Sequence, residues 1–376
     1  MSKVVIKPVT ENLQENIRDC LRTLNYTPCS EEIVIKPNVL KGLPSGSGHV
    51  TNVKIVRELI KVLQNDYHAK KIFVAENSYI NADTVKAFEV AGYFDLEKEF
   101  NNVQLVDLKK AEYKPSKWGF KLPILLEGRC LIDVPVLKGH PQVGLTCAIK
   151  NLKGLMQDDD KRNFHLKGLS AHLALLAKIK PCLIVVDATK CLETHGVPRP
   201  RKYDFNLLIC GDDVVSVDHA CCKLVGIPVE EVTYLQQAMG EVNKINYKVS
   251  GELKPLAEFH PFRECIKVGR IYQHIGFSCS RCWDAAIEAI DPDHVARAKL
   301  GKSRNVFDFL RIAMKCYLRS KPIHLVFGHQ DPDKVKKIKG KVLLVGNCAI
   351  SEFGRENQHP CIPGCPPNPE DIGKAL

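Results

Sequence analysis

The chain has 376 residues, 45% of them hydrophobic and 26% charged, with a formal charge of +11 at pH 7. This length and balance exclude a disordered or fibrous protein and predict a folded one, of two domains or of one large domain with an appendage. The charge favours anionic partners, but no basic run is long enough for a nucleic-acid arm, so no specific nucleic-acid binding is expected.

The opening MSKVVIKPV has no signal-peptide core, and no apolar run approaches the roughly 18 residues a membrane span needs. A cytoplasmic protein without a membrane span is the expectation. Sixteen cysteines in so large a chain then indicate thiols kept reduced, some of them holding metal.

Residues 3–8 (VVIKPV) are β-branched and predict a strand, followed by an amphipathic helix over 11–24. A second strand over 32–36 ends in Pro37-Asn38. After the loop KGLPSGSGHVTN, helical spacing runs from 53 to 63, with Thr51 or Asn52 as its cap. Strands follow at 71–76 and 103–107, with a helix over 83–91 between them that stops at Gly92.

The stretch from Cys130 to Leu155 begins as an apolar strand over 131–136. A turn carrying Lys138, Gly139 and His140 is expected next, then a helix-like segment with Lys150, Asn151, Lys153 and Gly154. A helix over 169–179, a strand over 182–187 ending in Asp187, a strand over 205–210 and helices over 214–225 and 229–239 complete the alternation. Strands and helices alternating at this spacing predict an α/β fold: a mostly parallel sheet with helices on both faces.

Near residue 255 the texture changes. Residues 1–255 are expected to form the α/β domain, and 256–376 a smaller cysteine-containing α+β region. That region has a helix over 307–317 and short strands at 323–327 and 341–345. The last 20 residues hold five prolines and two glycines and are expected to be irregular.

Polar residues gather where strands should end, the edge at which open α/β sheets bind ligands. They are Lys36 and Asn38 with the loop 42–49; Glu76-Asn77-Ser78; Asp133, Lys138, His140, Lys150, Asn151 and Lys153, with His165 downstream; Asp187 with Glu193 and His195; and Gly211-Asp212-Asp213 with Asp218. In a shared site Lys36, Asn38, Lys138, Asn151 and Lys153 bind an anionic substrate. His140, His165, Lys150 and Asp187 are the candidates for proton transfer and catalysis.

The metal-like spacing lies in the second part. Cys279 and Cys282 form a C-x-x-C, which places two thiolates on one turn. Cys348 closes a strand, and Cys365 precedes Pro366-Pro367, as cluster cysteines often precede proline. The expected cofactor is a [4Fe–4S] cluster on Cys279, Cys282, Cys348 and Cys365, with Cys361 in reserve. Zinc is the alternative, although a zinc ribbon pairs two C-x-x-C knuckles at closer spacing. Most of the other cysteines, Cys29, Cys130, Cys147 and Cys182 among them, are taken as packing residues.

The segments KPNVLKG, VAENS, DVPVLKGH, LTCAIKNLKGLM with His165 beyond it, VVDAT and CGDDVVSVDHACCKLVG resemble, over roughly residues 33 to 228, the domain-of-unknown-function family number 362. The resemblance implies an iron–sulfur cluster-binding protein, in line with the C-terminal cysteines. This chain departs from the commonest arrangement by lacking a tandem C-x-x-C-x-x-C run. Three functions stay open: an iron–sulfur redox enzyme acting on an anionic small molecule, a non-redox acid–base or metal-dependent enzyme with a structural cysteine–metal site, and an electron carrier that meets only a redox partner protein.

Overall fold

A computed structural model of the chain describes residues 1–80, 82–166, 168–193, 200–240, 245–260, 265–274, 282, 285, 289, 321–328, 330, 332–354 and 359–376; at 165, 166, 265, 266 and 268 it describes the backbone alone. Two compact units result. One comprises residues 1–193 and 201–260, the other 194–200 and 261–376.

The first unit is built on a mixed, mostly parallel sheet. Its strands are β1 (Ser2–Pro8), β2 (Glu32–Pro37), β3 (Lys71–Glu76), β4 (Val103–Asp107), the small hairpin β5 (Tyr113–Pro115) and β6 (Lys121–Pro123), β7 (Cys130–Val134), β8 (Val136–His140), β9 (Gly144–Thr146), β10 (Leu183–Leu192), β11 (Lys202–Tyr203), β12 (Leu207–Gly211) and β13 (Tyr247–Ser250). The spatial order is β13-β1-β12-β10-β7-β2-β3-β4. Strands β10, β7, β2, β3 and β4 run parallel to their neighbours, whereas β12 is antiparallel to both β10 and β1.

Successive residues of the central strands enter different cores, so the sheet is covered on both faces. From β2, Ile33 and Ile35 pack with Ile17, Leu21, Ile55 and Leu59 of helices α1 (Leu13–Leu24) and α2 (Val53–Tyr67). Val34 points the other way, into the core that holds Ile149, Leu173 and Val217. The helices of the unit continue with α3 (Thr84–Val90), α4 (Phe94–Glu99), α5 (Ala148–Asn151), α6 (Asp158–Leu166), α7 (Leu169–Leu176), α8 (Val214–Leu224) and α9 (Thr233–Met239). Asn52, not Thr51, caps α2, its side chain accepting from Lys54 N.

The expected turn at Lys138-Gly139-His140 is a strand. Pro135 has no N–H and breaks the ladder after β7. The chain then resumes as β8, which pairs with β10 at Asp187↔Val136 and folds back on β9. The antiparallel course of β12 has a second consequence. Gly211 lies beside Ile184, near the amino end of β10, so Asp212 and Asp213 leave the sheet at the edge opposite the other polar clusters.

In the second unit β14 (Cys265–Val268), β15 (Ile271–His274), β16 (Ile323–Phe327), β17 (Lys341–Val345) and β18 (Cys361–Ile362) form a five-stranded sheet, parallel except at β14. Leu325, Phe327, Leu343 and Val345 pack on one face with Ile362 and Ile372; Val326, Leu344, Ala349 and Phe353 pack on the other. The last 20 residues are more regular than expected. They contain β18 and a helix over Pro369–Ala375, because Asn368 caps that helix and Pro369 occupies its first turn, where its missing N–H costs nothing. The helix expected over 307–317 lies outside the described residues. No helix among the described residues is long and apolar enough to cross a membrane.

Candidate functional site

Strand ends and the α5 segment meet in a buried polar network. The Lys36 ammonium donates to Glu76 Oε2 at 2.9 Å, to Pro37 O at 2.5 Å and to Asn151 Oδ1 at 3.4 Å. Glu76 Oε2 also accepts from Val39 N at 2.8 Å. The Asn151 amide donates onward to Asp133 Oδ1 at 2.7 Å and to Lys36 O at 3.2 Å. Burial drives the Asp133 carboxyl well above the usual range, and its Oδ2 has no hydrogen-bond partner among the described residues.

Gly154 closes the network from one side. A Cβ at this position would fall on Glu76 Oε1 and on Lys36 Cε and Nζ, so only glycine lets the backbone come this close. The same segment is held by Asn77, whose N–H donates to Gly154 O at 3.0 Å and whose Nδ2 donates to Met156 O at 2.6 Å. Lys161 of α6 donates to Asn77 O and Ser78 O at 2.8 and 2.9 Å, and burial pushes its amine down to about 7.

The loop after β2 ties the remaining strand ends together. Asn38 N donates to Thr51 Oγ1 at 2.8 Å, and that hydroxyl donates to Val134 O at 2.7 Å. His49 O accepts from both Asn38 Nδ2, at 3.0 Å, and Lys138 Nζ, at 2.8 Å. The Asp187 carboxylate accepts from Asn52 N at 2.8 Å on one oxygen and from Thr189 N and Oγ1 at 3.0 and 2.6 Å on the other. Its carboxyl is raised by burial.

Helix α5 is fixed from beneath by Asp218, which accepts from Ala148 N at 2.7 Å, Ile149 N at 3.3 Å and Tyr234 Oη at 3.1 Å; burial pushes its carboxyl up to about 7. On this anchored turn sits Lys150. It is half-buried, burial alone pushes its amine down to about 8, and it makes no hydrogen bond among the described residues. The Lys138 amine, fully buried, is held well below its ordinary value by burial and then by the charge of Lys150. An anion beside Lys150 would relieve that repulsion.

A family model described as Domain of unknown function (DUF362) matches residues 33–223. The chain belongs to the DUF362 family. The matched span contains Lys36, Glu76, Asp133, Asn151 and Gly154, which are chiefly bonded to or packed on one another. This DUF362 chain is also similar to the thylakoid-associated protein sll1697 of Synechocystis sp. (strain ATCC 27184 / PCC 6803 / Kazusa), 24% identical over 205 residues. The match covers 52% of this chain and 63% of that protein, so the chain spans less than two thirds of its relative.

The predicted site residues thus divide. Lys36, Asn38, Asn151 and Asp187 are engaged in the internal bonds given above, and Lys138 is committed to His49 O. Lys150 and Lys153 are half-buried. His140 is 3% exposed, and its Nδ1 accepts from Gln142 N at 3.2 Å, which leaves Nε2 as the protonated nitrogen of the neutral ring. The side chain of His165, on α6, and the whole of His195 lie outside the described residues.

In the second unit Cys282 is buried, and its Sγ lies 3.4 Å from where a Cβ of Gly346 would be, with Gly364 O and the Pro367 ring beside the same point. Gly346 precedes the helix Asn347–Phe353, which carries Cys348 in its first turn. Asn347 N donates to Gly364 O at 3.0 Å and Gly364 N donates to Asn347 Oδ1 at 2.8 Å, which fixes the Cys348 turn against the segment of Cys365. Cys361 is exposed, and Cys279 lies outside the described residues.

One further grouping has no spacing motif in the sequence. Cys29, Cys130 and Cys182 are widely separated in sequence, yet their sulfurs all lie within 4.8 Å of one another. Hydrogen bonding from Cys182 pushes the Cys130 thiol down to about 6. The available signal was positional: each cysteine stands just before, or at the first residue of, one of three parallel strands, β2, β7 and β10.

Proposed function

We propose that this DUF362 protein is an iron–sulfur redox enzyme. Its first unit binds a small anionic substrate at the carboxyl ends of β2, β8 and β10, and its second unit holds a cluster on Cys279, Cys282, Cys348 and Cys365, with Cys361 in reserve. The observation that carries this reading is the meeting of buried Cys282 with Gly346 and Gly364, the backbone neighbours of the Cys348 and Cys365 segments. Gly346, at φ +86°, leaves open the space beside the sulfur that a side chain would fill.

The chemistry of the donor set fits the group. Thiolates on short turns with proline after the last cysteine suit iron–sulfur ligation, and a cluster spreads its thiolates wider than a single ion does. When bound, the cluster would supply electrons one at a time. The chain's own residues do the rest: Lys150, with Lys153 beside it on the next turn, attracts the anion; Lys138 holds the loop at His49 O behind them; and Nε2 of His140, or His165, moves a proton. Lys36, Glu76, Asp133, Asn151 and Asp187 position them.

The test is iron and acid-labile sulfide analysis of the full chain purified without oxygen, with its optical spectrum before and after dithionite. A broad visible band that bleaches on reduction, with iron and sulfide in equal amounts, supports the reading. Colourless protein containing zinc, or no metal, rejects it.

A further inference from the structure

The three thiols at the amino ends of β2, β7 and β10 belong to no part of the function proposed above. Cys29 lies in the approach to β2, Cys130 opens β7, and Cys182 immediately precedes β10. These strands are parallel neighbours, with Ile33 paired to Cys130 and Leu183 to Ile132, and Cys182 N donates to Leu131 O at 2.7 Å. The sulfurs are therefore carried by adjoining strand ends, with little freedom to separate. Asp133 of the polar network follows Cys130 by three residues on the same strand, about 10 Å away along it. The two features occupy opposite ends of the same three strands.

We propose that Cys29, Cys130 and Cys182 form a binding site for a soft, thiophilic metal ion of the Cu⁺ or Zn²⁺ type. Three thiolates, with no carboxylate or imidazole in the group, are a donor set selective for soft ions over Mg²⁺, Ca²⁺ or Mn²⁺. The spacing suits one ion. At a metal–sulfur distance of about 2.3 Å, tetrahedral or trigonal thiolates stand roughly 3.8–4.0 Å apart, inside the 4.8 Å spread observed. The Cys29–Cys182 pair, at 3.1 Å, has to open by less than about 1 Å to reach that separation.

The surroundings complete the site. Cys130 is buried, Cys182 half-buried and Cys29 exposed, so an ion has a path in from solvent on the Cys29 side. The Tyr26 hydroxyl lies 3.4 Å from Cys130 Sγ, within hydrogen-bonding reach of that sulfur. Outer hydrogen bonds of this kind orient and tune metal ligands.

The experiment titrates the reduced, oxygen-free full-length chain with Zn²⁺ and, separately, with Cu⁺, each against a chromophoric chelator, and compares it with Cys29→Ser and Tyr26→Phe. Cys29 is exposed, so its replacement leaves the fold intact, which circular dichroism verifies. The proposal expects Cys29→Ser to bind about one ion fewer per chain at competitive affinity, and Tyr26→Phe to bind that ion about 10-fold more weakly. Because Cys348→Ser alters only the C-terminal set, it should leave this ion in place, which separates failure of this site from failure of the iron–sulfur reading. Equal titrations of Cys29→Ser and the unaltered chain with both ions would overturn the proposal. So would peptide mapping that finds Cys29 and Cys182 joined as a disulfide in protein prepared without oxygen.

Discussion

Lys36 and Glu76 form an ion pair at 2.9 Å with side chains only 1% and 4% exposed, at the carboxyl ends of two adjacent parallel strands. Taking one partner away leaves the other charged and buried. Lys36→Met or Glu76→Leu should therefore each cost about 3–5 kcal/mol of stability in a urea titration. The double substitution should cost clearly less than the sum of the two. Additive losses would mean that the two side chains do not act as a pair.

Gly154→Ala tests the same network from the backbone side. The added methyl would collide with Glu76 Oε1 and Lys36 Cε, and neither side chain can swing into solvent. A loss of about 1–3 kcal/mol is expected, against the small gain that alanine brings in an open helical turn. A neutral or stabilising effect would show that the packing around Gly154 is loose.

The Lys150 amine, pushed down to about 8 by burial, sets a pH dependence for anion binding. The charged form attracts the anion, so affinity for sulfate, whose charge is constant in this range, should be level below pH 8 and fall by up to about tenfold per unit above it. Lys150→Met should weaken sulfate binding and remove the fall. Stability moves the other way. Between about 8 and the unfolded value near 10.4, the unfolded chain holds more protons at this position, so the contribution of Lys150 to stability rises with pH. Sulfate affinity that is unaffected by Lys150→Met would place the anion elsewhere.

Asp187 fixes the loop between β2 and α2 through Asn52 N and fixes the course of β10 through Thr189. Asp187→Ala removes all three bonds at once. It should destabilise the unit by about 1–3 kcal/mol and speed proteolysis within residues 41–52. If cleavage there is unchanged while activity is lost, Asp187 acts on the substrate rather than on the loop.

Much of this architecture was legible in the sequence, because the central strands are short apolar runs bounded by Pro, Asn and Gly. The strands at 103–107, 323–327 and 341–345 fall where the pattern put them. β8 was missed because Lys138-Gly139-His140 has the composition of a turn, and only its neighbours β9 and β10 make it a strand. The helix Pro369–Ala375 was hidden by its prolines, which are compatible with a first turn but not with a helix interior.

The candidate site was legible in its members but not in their bonding. Lys36 and Asp133, at the ends of neighbouring strands, do meet Asn151 of α5. What the sequence could not convey is that Lys36 and Asn151 bind each other. The antiparallel course of β12, which sends Asp212 and Asp213 to the far edge, depends on long-range pairing that no local pattern encodes. The same holds for the Cys29–Cys130–Cys182 group.

The most direct test of the redox reading is electron paramagnetic resonance of the full chain, purified without oxygen and reduced with dithionite, beside Cys282→Ser and Lys150→Met. The unaltered chain should give the low-temperature signal of a reduced iron–sulfur cluster. That signal should be lost or severely diminished in Cys282→Ser and unchanged in Lys150→Met, which instead binds sulfate weakly. A silent spectrum from iron-free protein, or a cluster signal of full intensity in Cys282→Ser, would contradict it.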